Sequence, residues 1–171
     1  MMWYMLLGRF SSSGLSGSLA FLFLTFFSVG SLSAQQVPNQ PQPSAHERTE
    51  RAQAYTTERL AIWQQRLNLQ DWNISVVMAR ASELKPKTLG NIHWDLPKKT
   101  AIIHVLDPAD YHLADKEMLQ DMEFTVVHEL IHLELAPVLS DLQRSDANRR
   151  EEEHSVNHMA DALLKLDRLG K

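Results

Sequence analysis

Apolar residues recur along the chain in two rhythms, and each predicts a different kind of element. Between Ala45 and Leu69, Tyr55, Leu60, Ile62, Trp63 and Leu67 sit among charged residues at helical spacing. That pattern predicts an amphipathic helix closed by Gln70 and Asp71. Trp72 to Ala79 alternates well enough to form a strand. Thr88–Trp94 and Thr100–Leu106 are β-rich runs, and Asp95-Leu96-Pro97-Lys98-Lys99 between them predicts a hairpin. Asp107-Pro108-Ala109-Asp110 then reads as a turn.

From Met118 to Leu135 the rhythm changes, with apolar residues on nearly every side. Such a helix is buried all round, and Pro137 should end it soon afterwards. Ser145-Asp146 reads as the N-cap of a last helix running to Leu169, with Gly170 beyond. The order is helix, strand, hairpin, helix, helix, with no internal repeat. It predicts an α+β domain over residues 46–171 with a small, mostly antiparallel sheet.

The first 34 residues contain one charged side chain, Arg9, then the apolar run 19–27 and Ser31-Leu32-Ser33-Ala34. A basic residue, a short apolar core and a small-residue end predict a signal peptide over 1–34, and hence an exported chain, periplasmic or extracellular. The run falls short of the roughly 20 residues that span a bilayer, so no stable membrane insertion is expected after cleavage. An uncleaved N-terminal anchor is the competing reading. Residues 35–45 form a Pro/Gln-rich linker that cannot build a core.

Removing 34 of 171 residues leaves 137, with 16 basic against 21 acidic side chains. That is one domain with a modest core, and its acidic balance argues against nucleic acid. The chain has no cysteine, so packing, and any bound metal, must hold it together.

His128 and His132 are four apart in His128-Glu129-Leu130-Ile131-His132. On a helix this puts both imidazoles on one face, able to reach one ion. Glu129 lies about 100° round from His128, placed for a water on that ion rather than for the ion itself. A catalytic zinc needs a third protein ligand. With Glu153 at zero, Leu163, Val156, Ala160, Leu164 and Asn157 fall between roughly −80° and +40°. Glu153 therefore lies in the apolar arc and is the expected ligand. Glu152 falls at its edge, while Glu151, His154 and His158 point mostly away. His154 and His158 are themselves four apart, on the exposed face.

H-E-L-I-H followed by E-H-S-V-N-H-M-A-D-A-L-L resembles the Glu-zincin metallopeptidases, in particular small single-domain members of the ImmA/IrrE-like kind. The resemblance covers about the last hundred residues. It implies a minimal zincin-like fold, one Zn2+ per chain on His128, His132 and Glu153, and Glu129 as general base in hydrolysis of a peptide or protein substrate. By the same resemblance, Asn157 hydrogen-bonds a zinc-binding histidine, and a strand of the hairpin pairs with extended substrate. Ile131 stands where small relatives have Gly, and Leu135 and Val138 break the metzincin pattern. Larger Glu-zincins stabilise the oxyanion from a further domain. Here Tyr111, His112, His93 and His104 are the available candidates. A catalytically weak zinc-binding scaffold is the alternative reading.

Overall fold

A computed structural model describes residues 44–143 and 145–170. The expected signal peptide and the linker as far as Pro43 lie outside the described residues. The elements are α1 (Ala45–Arg66), β1 (Asn73–Ala79), β2 (Gly90–Asp95), β3 (Thr100–Leu106), a 3₁₀ turn at Pro108–Asp110, α2 (Asp115–Leu139) and α3 (Asp146–Leu169). The class is α+β, as the two rhythms predict.

Local chemistry sets the helix ends. Ser44 and Ala45, the last two residues of the expected linker, belong to α1. The Ser44 hydroxyl accepts from the Glu47 amide, and the Glu47 carboxylate accepts from the Ser44 amide. This reciprocal pair satisfies two otherwise orphaned donors. α1 stops three residues before Leu69 because Asn68 adopts a left-handed backbone, φ 56°. Leu69 N then donates to Gln64 O and Asn68 N to Gln65 O, the bond pattern of a Schellman stop.

Pro137 does not end α2 at once. It sits inside the helix, which closes at Leu139 with Ser140 N donating to Ala136 O. In the last turn its missing N–H forfeits one bond, a smaller loss than in a helix interior.

The sheet is mixed, not mostly antiparallel. Its order is β1-β3-β2, with β1 parallel and β2 antiparallel to β3. β3, with four buried apolar residues, takes the central slot. Val76, Ile103 and Ile92 share one row across the three strands, and all three are buried. The next row, Val77, His104 and Asn91, faces the other way. On that outer face Val77 is 38% and Ile102 45% exposed.

β2 is an edge strand. Leu106 N donates to Leu89 O, and in an antiparallel ladder bonded pairs alternate with non-bonded ones. The backbone groups of Ile92 and Trp94 therefore point away from β3. No described strand pairs with that side.

α1 and α2 pack on the sheet and on each other. Met118, Met122, Val126, Val127, Leu130 and Leu133 of α2 are all buried, each contributing about 1.5–3 kcal/mol of transfer free energy. Among them lies a buried carboxylate, Glu123. Arg59 Nε donates to its Oε1 at 2.6 Å, Trp63 Nε1 to Oε1 at 2.9 Å and Tyr55 OH to Oε2 at 3.0 Å. Arg59 also reaches Asp167 of α3 at 3.2 Å, which pairs with Arg66 at 2.7 Å. Burial, with the Glu123 charge, pushes the Tyr55 hydroxyl up to about 12. One network thus joins all three helices.

Two stability predictions follow from this packing. A Cβ on Gly90 would fall on Thr125 Cγ2 and 2.6 Å from the His104 carbonyl oxygen. Gly90→Ala must therefore push β2 off α2 or β3, at a cost of about 1–3 kcal/mol, read as a lower urea midpoint at unchanged m-value. Arg59→Met leaves Glu123 buried without its cation, and should cost about 3–5 kcal/mol in the same titration. A loss under about 1 kcal/mol, the range of a surface pair, would show the network to be incidental.

Candidate metal centre

The consecutive turns of α2 that carry His128 and His132 face the N-terminal half of α3. His128 Nε2 and His132 Nε2 lie 3.0 Å apart. Glu153 places Oε2 3.4 Å from the first and Oε1 3.5 Å from the second. The ligand atoms of these three residues all lie within 4.8 Å of one another. A tetrahedral ion with bonds of about 2.0–2.1 Å would hold its ligand atoms roughly 3.3 Å apart. The donor set, two imidazoles and one carboxylate, also suits zinc.

Partners outside this trio aim the imidazoles. Glu152 Oε1 lies 3.3 Å from His132 Nδ1. A proton held there leaves Nε2 with its lone pair toward the centre. Asn157 is a hydrogen-bonding neighbour that favours the protonated form of His128, although His128 Nδ1 makes no bond of full hydrogen-bond geometry. Sequence reasoning placed Glu152 only at the edge of the apolar arc. A search for a carboxylate able to hold the far nitrogen of a ligand histidine would have found it.

Glu129 is 0% exposed, and neither of its oxygens has a hydrogen-bond partner. Glu153 Oε2 likewise makes no hydrogen bond. Orphaned buried oxygens of this kind are costly unless something satisfies them. A cation with its water, set among the three ligand atoms, supplies the missing partners, so the residues present fit a metal.

The charge states fit the same picture. Burial pushes the Glu129 carboxyl up to about 8 and pushes the His128 imidazole down. For His132 burial works downward but is outweighed by hydrogen bonds to Glu152 and Glu153, which raise it to about 9. Burial of Glu153 is outweighed in turn by the two histidines, which hold it down at about 2.

The other residues singled out in the sequence lie elsewhere. Tyr111 OH donates to Asp121 Oδ2 at 3.2 Å, two helical turns before His128. His93 and His104 are on the outer face of the sheet, where His104 Nδ1 meets Asn91 Oδ1 at 2.9 Å. His112 is exposed. A groove of about 450 Å³ opens between the end of α2 and the start of α3, lined by Leu135, Leu139, Leu142 and Met159 with Glu151 and Glu152. Compared with protein-family models, curated proteins and solved structures, the chain matches none of them.

These charge states give metal binding a definite pH dependence. At pH 7 His132 holds a proton that it must release to become a ligand, and Glu129 is protonated too, whereas Glu153 is already ionised. Zinc uptake should therefore release protons, and apparent affinity should climb from pH 7 to about 9, then level off. Calorimetry in buffers of different ionisation enthalpy counts the protons. Heat independent of the buffer would contradict the assignment.

Proposed function

We propose that this chain is a zinc-dependent peptidase with a minimal zincin-like domain, exported after cleavage near Ala34. Glu129 carries the reading. Glu123, the other buried carboxylate of α2, is held by Arg59, Trp63 and Tyr55, as a structural carboxylate should be. Glu129 is equally buried, beside three convergent ligand atoms, and is held by nothing. A carboxylate kept dry and unbonded is poised to exchange a proton.

In this reading His128, His132 and Glu153 hold the ion, with Glu152 and Asn157 aiming the imidazoles. Bound zinc supplies Lewis acidity, polarising a carbonyl and lowering the pKa of water toward about 7. A cation at this centre also draws the Glu129 carboxyl down from its raised value. Glu129 then takes a proton from the attacking water and delivers it to the leaving amine.

The open edge of β2 offers the backbone groups of Ile92 and Trp94 to an extended peptide, which fits strand addition with little sequence selectivity. Gly90 brings that strand against Thr125, one turn before Glu129, which supports this edge as the one a peptide would use. One observation favours a second reading, a zinc-binding scaffold with weak turnover. Of the four candidates in the sequence, Tyr111 is bonded to Asp121, His93 and His104 lie on the outer face of the sheet, and His112 is exposed.

Elemental analysis and hydrolysis of denatured casein separate these readings. The parent should hold about one zinc per chain, and Glu153→Ala markedly less. Glu129→Gln should keep its zinc yet hydrolyse at least about 10²-fold more slowly. Zinc without hydrolysis in the parent would select the scaffold, and no zinc even after adding it back would sink both.

A further inference from the structure

The buried histidine pair of α2 has a counterpart on α3. His154 and His158 have the same four-residue spacing, their ring centroids are 4.0 Å apart and their planes are inclined at 57°. For His128 and His132 the corresponding values are 4.7 Å and 69°. The two pairs share their spacing and the closeness of their rings, but His154 and His158 are exposed, and neither imidazole bonds to another described side chain. We infer that His154 and His158 form a second, solvent-facing site for a borderline divalent transition-metal ion.

Three features support this assignment. Val156 and Ala160, interleaved with the pair, are 0% exposed, so this stretch of helix is docked on the core and presents both rings on a firm backbone. Both rings face solvent, so water can complete the coordination shell of an ion bound here. Two nitrogens on one rigid turn also bind as a chelate, the second at high effective concentration once the first is engaged.

Imidazole pairs of this kind follow the order in which Cu2+ and Ni2+ are held more tightly than Mn2+ or Fe2+, whereas hard ions such as Mg2+ and Ca2+ prefer oxygen. Glu151 stands one turn before His154 and can add a carboxylate. Asp161, one turn after His158, is engaged by Lys165 at 2.6 Å. The site does not depend on the peptidase reading, since its ligands are separate from those of the buried centre.

Ni2+ titrated into the full chain by calorimetry tests the assignment. The double variant His132→Ala with Glu153→Ala, which leaves the buried centre a single ligand, should retain one Ni2+ step. Adding His154→Ala or His158→Ala to that variant should weaken the step on the order of 10²-fold. Electron paramagnetic resonance of Cu2+ in the same double variant should show two nitrogen couplings. Circular dichroism checks that each variant keeps its helices, which substitutions at exposed positions should leave intact. A Ni2+ step that survives loss of both His154 and His158, or no step at all in the double variant lacking His132 and Glu153, overturns the assignment.

Discussion

The dry interior around α2 accepts Glu123, His128 and His132 because α1 and α3 bring partners to them. An ion stripped of water without compensation costs several kcal/mol, while a fully buried aliphatic side chain contributes about 1.5–3 kcal/mol. One unpartnered charge would offset two or three well-packed neighbours. The positions of the outer helices are therefore tightly constrained. α1 must present Arg59, Trp63 and Tyr55 to Glu123, and α3 must present Glu152 and Glu153 to the histidines. Among the described residues, both carboxylate oxygens of Glu129 are left without a hydrogen bond, beside the three convergent ligand atoms.

Much of this was legible from local periodicity. His128 and His132 could be read because four residues make roughly one helical turn. Glu153 could be read because a carboxylate centred on the apolar arc of α3 must face inward, and that face meets α2. What escaped the sequence depends on partners remote in the chain. Arg59 and Glu123 are 64 positions apart, and no local rhythm links a basic residue on one helix to an acidic one on another. Alternation identifies a strand but not its neighbour, so the parallel pairing of β1 with β3 was not visible. The two misjudged helix ends have local causes of another kind. Asn68 tolerates a left-handed backbone that stops α1 early, and Pro137 lies too near the end of α2 to break it.

The absence of cysteine leaves the domain without covalent cross-links. Its three described strands give a small sheet with an open edge at β2, and the domain's stability rests on helix packing and on the ionic network at Glu123. A bound ion would add a further tie between α2 and α3, because a site formed by folding returns its binding free energy as folding free energy. The buried face of α3 is narrow, with only Val156, Ala160 and Leu164 fully enclosed. Its polar fastenings matter more than they would on a broad apolar helix.

Those fastenings lie far apart. Glu152 and Glu153 engage the histidines near one end of α3, and Asp167 engages Arg59 and Arg66 near the other. The 14 helical steps from Glu153 to Asp167 span about 21 Å. α3 is thus clamped at two points with separate duties, one chemical and one mechanical. Releasing the first clamp would leave the second closed, much as a hinged jaw keeps its pivot when its grip is opened. A domain built this way would keep α3 seated through Asp167 whether or not an ion lies among His128, His132 and Glu153.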